Sequence, residues 1–292
     1  MTVSAAQAQS WRSAAPLEVG RAYLGAAAIR EDLYVVGGGG ILGPRPDVDA
    51  YDVVADHWRP MGPLPAPIEQ FAMAASEATL FVSGGLNDAG EPTDEVWKMT
   101  PGADERWTSL PALPAPRAGH AMVWLNDDLF VIGGIGQGAG RILKLATDAT
   151  SWRSVAELAG RRSGLAAAVM DGQIYIVGGV SGGGAASSRV DILDPASGGL
   201  RRGPDLPEGR AGHVIGVLDG GLHVAGGRTT RPDQTIDSHY RLETAGGGWR
   251  ALPPLLNGRF ASASAVAGDR WYVLGGGSGG GFFTVFTATD AV

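Results

Sequence analysis

Five arginines, Arg21, Arg117, Arg162, Arg210 and Arg259, fall in register along a chain of 292 residues, with steps of 45 to 49 residues once Ile68 is counted into the series. A guanidinium holds a planar anion through two parallel hydrogen bonds, so such a set could form a cationic ring for a carboxylate or a phosphate. The same residues could instead tie neighbouring turns of the chain together, and the sequence leaves both uses open. Where the series breaks, at Ile68-Glu-Gln-Phe71, a carboxylate stands beside an amide. Glu69 is the one carboxylate in this set of turns. It is the candidate acid or base of any chemistry here, or else the partner in a surface ion pair. Tyr23 and Phe260, in matching turns, could supply walls, while Gln70, Arg45, Asn87, Asp88 and Arg228 are further polar candidates for binding.

Other chemistry is excluded by composition. There is no cysteine, so no disulfide framework, thiolate metal site or sulfur nucleophile can be built. Of the five histidines, His120 and His213 share one position, three after an Arg, and read as structural; His57, His223 and His239 join no cluster, and His239 reads as the more exposed. No His-x3-His pair occurs, and Asp219-x3-His223 is only a fragment of a ligand set. Nor is there a Gly-x-Ser-x-Gly elbow. The glycine runs at Ser181 to Gly184 and Gly275 to Gly281 lack the following helix that a phosphate loop needs, so neither a metal nor an organic cofactor is expected. With 23 basic against 30 acidic residues the net charge is −7, which argues against nucleic acid as a partner. No basic-then-apolar leader and no membrane-length apolar run is present, and the chain reads as a cytoplasmic monomer.

The elements that must position these residues repeat six times. LYVVGG, LFVSGG, LFVIGG, IYIVGG, LHVAGG and WYVLGG place Gly-Gly pairs beginning at residues 37, 84, 133, 178, 226 and 275. Sixteen residues before each pair stands the Arg or Ile68, and ten before that Trp11, Trp58, Trp107, Trp152, Leu200 or Trp249. A period near 48 residues is what four short strands and their turns consume. In each unit an Ala/Gly-rich first strand suits a crowded axis, and a fully apolar second strand must be buried on both faces. A third strand often carries an aromatic (Tyr51, Trp97, Tyr240), a fourth begins at the Trp, and a Pro-rich turn leads to the next Arg.

These landmarks resemble those of a kelch-repeat β-propeller of the bacterial, single-domain kind, and the resemblance covers essentially the whole chain. It implies an all-β fold of six blades, each of four antiparallel strands, in one domain over residues 1–292. Residues 1–8 read as flexible, and residues 9–16 as a strand that completes the last blade by pairing near Phe283, so deleting the first 16 residues should lower stability sharply. It also implies that the turns into each first strand share a face with the loops after each Gly-Gly, and that partners or small ligands bind there. No Cys is available for the crosslinked Tyr of kelch-type copper oxidases, and the ligand set of kelch-type specifier proteins is missing.

Two functions remain. The first is a stand-alone binding module that recognises a protein or a small acidic molecule on the loop face. The alternative is a small-molecule enzyme, a sugar mutarotase or isomerase, or a cyclase of a biosynthetic pathway. In that case Glu69 would act as acid or base, Arg21, Arg228 and Arg259 would anchor the substrate, and Tyr23 and Phe260 would wall the pocket.

Overall fold

The computed structural model describes residues 11–40, 42–230, 234–278 and 287–288. Five repeats each form a four-stranded antiparallel sheet with consecutive strand order. The first contains β1 (Gly25–Ile29), β2 (Asp32–Val36), β3 (Val48–Asp52) and β4 (His57–Pro60). The second contains β5 (Ala72–Ala75), β6 (Leu80–Ser83), β7 (Val96–Met99) and β8 (Thr108–Ser109), and the third β9 (Ala121–Leu125), β10 (Asp128–Ile132), β11 (Arg141–Ala146) and β12 (Arg153–Glu157). The fourth contains β13 (Ala166–Met170), β14 (Gln173–Val177), β15 (Val190–Leu193) and β16 (Leu200–Arg202), and the fifth β17 (Val214–Leu218), β18 (Gly221–Ala225), β19 (His239–Leu242) and β20 (Trp249–Leu252). A final hairpin pairs β21 (Ala263–Ala267) with β22 (Arg270–Leu274).

The expected six four-stranded blades are therefore corrected to five. A Gly-Gly pair marks the end of a second strand and no more. After β22 the sixth pair, Gly275-Gly276, is present, but no third strand pairs with β22 among the described residues. The hairpin sits between β17 and β1, and the six first strands pack side by side around the axis. The closing strand expected over residues 9–16 is corrected for its described part, since residues 11–16 form no strand; its expected partner near Phe283, like residues 1–8, lies outside the described residues. At that end Trp11 donates its Nε1 to Pro253 O at 3.1 Å and its ring lies 5.5 Å from that of Trp271.

The periodic residues earn their spacing through hydrogen bonds. In all five arginine turns Nη1 donates to the carbonyl sixteen residues on, the first Gly of its own pair, as in Arg162 to Gly178 O at 2.8 Å and Arg117 to Gly133 O at 3.1 Å. The second Gly of each pair donates its N–H to the landmark carbonyl of the next repeat, from Gly38 to Ile68 round to Gly276 and Arg21. Glycine is required there: a Cβ on Gly84 (φ 57°) would stand 2.3 Å from Arg117 O. Each landmark tryptophan donates Nε1 to a carbonyl of the preceding Pro-rich turn, as Trp152 does to Pro111 at 2.8 Å. Leu200, in the same place, has no such donor.

The cores lie between sheets rather than at the axis. Leu80, Val82, Trp97 and Met99 of the second sheet pack with Tyr34, Val36 and Ile68 of the first repeat and its following turn, and similar clusters fill each junction. The axial cavity itself measures about 200 Å³ and is lined by first-strand residues such as Ala72, Ala121 and Ala166. Among the described residues no helix is long and apolar enough to cross a membrane.

Candidate functional site

The turns that enter the first strands and the loops that follow Gly-Gly share one rim, because they are bridged to each other. Ala22 pairs with Gly39, Glu69 with Leu86, Ala211 with Arg228 and Phe260 with Gly277. At the tip of each turn, two residues after the landmark, the N–H donates to the carbonyl of the equivalent residue in the preceding repeat. Tyr23, Gln70, Gly119, Gly164, Gly212 and Ala261 thereby close a ring of six bonds of 2.7–3.0 Å. That geometry demands a left-handed backbone. Three members are glycine, whereas Tyr23 (φ 55°), Gln70 (φ 54°) and Ala261 (φ 54°) hold it at a cost.

These three exceptions are neighbours on the ring, and the predicted side chains gather around them. Phe260 is buried against Ala22 and Ala261, with Tyr23 packed on the cluster, its ring 6.1 Å from that of Phe260 and nearly perpendicular to it. The Arg228 guanidinium lies 5.3 Å above the Phe260 ring. Glu69 is half-buried and folds over Gly39, where a Cβ would collide with its Oε2. Burial pushes the Glu69 carboxyl above the usual range, against a hydrogen bond from Gln70 that lowers it. Burial also raises the Tyr23 phenol; the charge of Arg228 opposes this and that of Glu69 adds to it. Tyr23 therefore senses both charges, and a cation, a carboxyl, an amide and two aromatic rings share this arc of the rim.

The other candidates stand apart from it. Arg21, Arg117, Arg162, Arg210 and Arg259 are buried, and their guanidiniums serve the protein's own carbonyls and carboxylates. Arg21 pairs with Asp49, Arg162 with Asp191, and Arg210 with Glu208 at 2.9 Å. Arg117 donates to Gly133, Arg141 and Gly138 carbonyls, and burial lowers its pKa to about 10. Arg45 is paired with Asp47 at 2.7 Å beside Ile68. Asn87 caps its own loop by accepting from the Ala89 and Glu91 N–H groups, and Asp88 is exposed.

His120 donates to or accepts from Ser83 Oγ at 2.9 Å, whereas His213, at the equivalent position, has Val177 in place of Ser83 and no protein partner for either ring nitrogen. The reading of His239 as exposed and isolated is corrected: it is buried, and its Nε2 lies 2.9 Å from His223 Nδ1. Sequence spacing could not show this, because strand pairing sets Ala225, two residues beyond His223, opposite His239. The backbone exceptions at Gln70 and Ala261 were also missed, although they occupy positions where other repeats carry Gly. Among the described residues no group of three His, Asp or Glu could hold a metal ion.

Comparison with known proteins agrees with the repeat. The family model described as the KLHDC2/KLHL20/DRC7 kelch-repeats domain matches residues 111–276, more than half of the chain, and the kelch motif model matches residues 20–65. Human kelch-like protein 33 is 34% identical over 83 residues, 28% of this chain and 16% of that protein. Kelch-like protein 35 is 33% identical over 87 residues in Homo sapiens (30% of this chain) and 28% over 92 residues in Mus musculus (32% of this chain). Each match spans 15% of the length of that relative. The solved structure of YjhT is similar in fold, with a TM-score of 0.80 at 18% identity, covering 94% of both chains. With its landmark arginines, Gly-Gly pairs and tryptophans in these bonded roles, the chain belongs to the kelch-repeat family.

Proposed function

We propose that this protein is a binding module that recognises a protein or a small acidic ligand on the rim carrying Tyr23, Glu69, Gln70, Arg228 and Phe260. The kelch propeller is a fold typical of protein-interaction modules, but a fold does not fix a ligand, so the reading rests on the site. The observation that carries it is the arc of Tyr23, Gln70 and Ala261, where left-handed backbone is held without glycine. Strain of this kind is kept where something is gained from the side chain. Arg228, seated over the buried Phe260 ring, supplies the cation for an acidic group, Tyr23 supplies apolar wall, and Gln70 supplies an amide. The five buried arginines serve by holding the turns in place, and Arg45, Asn87 and Asp88 border the same rim.

A second reading has one observation in its favour, the raised Glu69 carboxyl beside Tyr23. A carboxyl with elevated pKa is suited to proton transfer, as a mutarotase, isomerase or cyclase would need. The test for both is a thermal-shift screen against acidic sugars and phosphorylated metabolites, with affinity capture for protein partners. At a hundredfold excess over Kd a ligand adds about 2.7 kcal/mol of stability. Loss of the hit in Arg228→Ala supports the site, and a hit indifferent to Arg228→Ala and Glu69→Gln refutes it. Glu69→Gln that abolishes turnover while keeping affinity selects the enzyme.

A further inference from the structure

On the opposite side of the second and third sheets lies a cavity of about 420 Å³, in the size range of small-molecule sites. It is bordered by the turn between β5 and β6, the turn between β9 and β10 and the loop between β11 and β12. It is therefore remote from the turns that carry Glu69 and Arg228.

A departure from the repeat and a lysine without an ion pair meet in it. The fourth residue of the first strand is Ala28, Ala75, Val169, Val217 or Val266 in the other repeats and Trp124 in β9. Trp124 is half-buried, lines the cavity and stacks on Phe81 with ring centroids 5.0 Å apart and planes 9° from parallel. In β11, Lys144 is paired with Asp128 at the start of β10. The corresponding residue before β6 is Thr79, so Lys98, opposite Phe81 in β7, lacks the carboxylate that Lys144 has. Lys98 is exposed, lines the cavity and makes no ion pair among the described residues. Repetition does not explain Trp124, and with Lys98 it sets one cation beside a flat aromatic wall.

We propose that this cavity is a second binding site, for an aromatic monocarboxylate. The ring of the ligand packs against Trp124 and the apolar side chains of Leu110, Leu129 and Leu145, and its carboxylate pairs with Lys98. Of the neighbouring hydroxyls, Thr79 bonds Thr100 at 3.2 Å, Thr147 donates to Asp127 O, and Ser76 Oγ accepts from the Thr79 N–H. Lys98 is thus the anchor. Asp127 at the mouth selects against ligands of higher negative charge, which sets a monocarboxylate apart from a phosphate ester. The site stands independently of the function proposed for the rim.

The experiment is isothermal titration calorimetry with 2-naphthoate, 2-naphthamide and 2-naphthyl phosphate. Saturable one-to-one binding of 2-naphthoate is expected, weaker by about tenfold or more in Lys98→Gln, in Trp124→Val, and in Thr79→Asp, which restores the ion pair seen at Lys144. The amide and the phosphate ester should bind more weakly than the carboxylate, and Arg228→Ala should bind as the wild type does. Thr79→Asp is a surface exchange already present in the first and third repeats as Asp32 and Asp128, so its effect is read on a folded protein. Absence of saturable binding to the wild type overturns the proposal, as does equal binding of 2-naphthamide. Retention of affinity in Thr79→Asp, or its loss in Arg228→Ala, also overturns it.

Discussion

His213 offers a direct test of how the propeller balances its interior. Its imidazole is buried at the edge of the axial cavity without a protein partner, and burial, with Arg210 next, holds its pKa down to about 3. Leu24 and Leu165 occupy the same position in two other repeats. His213→Leu should therefore be accepted by the packing and should raise stability at pH 7 by about 1–2 kcal/mol, the cost of an unsatisfied buried polar group. The effect grows with acid. An imidazole that titrates near 6.5 when unfolded and near 3 when folded is protonated first in the unfolded chain, so acidification between these values destabilises the native state. From pH 7 to pH 5 this amounts to about 2 kcal/mol per histidine. The advantage of His213→Leu should thus rise to about 3–4 kcal/mol at pH 5, read from urea denaturation at the two pH values. His120→Leu is the contrast. It removes a similar acid loss, since His120 is also held down to about 3 by burial, but it strands the buried Ser83 hydroxyl and should destabilise at pH 7. A His213→Leu protein less stable than wild type at pH 7, or one with unchanged pH dependence, refutes the reasoning.

The landmark bonds make further predictions. Gly84→Ala places a Cβ 2.3 Å from Arg117 O and should cost about 3 kcal/mol or more, whereas Gly90→Ala, where a Cβ meets nothing within 4 Å, should cost only its backbone strain; thermal melts compare the two. Trp152→Phe keeps most of the apolar plate but loses the bond to Pro111 O, and should cost about 1 kcal/mol in urea denaturation. Trp11→Ala removes the bond to Pro253 O and the contacts with Trp271 and His239, joining the two ends of the chain, and should cost about 2–3 kcal/mol; an unchanged melting temperature would show that this end adds nothing to closure.

Much of this was legible in the sequence because the repeat multiplies each signal. Sixteen residues between Arg and Gly-Gly is the reach from guanidinium to carbonyl within one repeat, so the spacing itself encodes a bond. The grouping of Tyr23, Glu69, Arg228 and Phe260 followed from asking where the pattern fails. Counting blades by Gly-Gly pairs misled, because the pair reports a hairpin, and β22 has no third strand beside it among the described residues. The His223–His239 contact depends on register between β18 and β19, which periodicity does not give. The cavity beside Trp124 was hidden for a related reason: the exchange of Ala or Val for Trp gains meaning only once Lys98 and Thr79 are seen to face it.

The ring of tip residues allows the cost of function to be separated from the cost of folding. At Gly119, Gly164 and Gly212 an added Cβ would meet no atom nearer than 3.3 Å, so glycine is chosen there for its backbone and not for lack of space. Tyr23, Gln70 and Ala261 hold almost the same φ, and their side chains bring about 1 kcal/mol of left-handed strain each. The fold has no need of them, since three of its six turns use glycine with the same hydrogen bond. Ala261→Gly and Gln70→Gly relieve that strain but give the unfolded chain about 0.4–1 kcal/mol of extra freedom, so each should raise stability by no more than about 0.6 kcal/mol in urea denaturation. If Gln70 serves the rim site, the Gln70→Gly protein should also lose affinity for whatever Arg228 binds. A loss of stability in Ala261→Gly would show that the three exceptions belong to the packing of the ring, and the case for a ligand on this arc would fall with it.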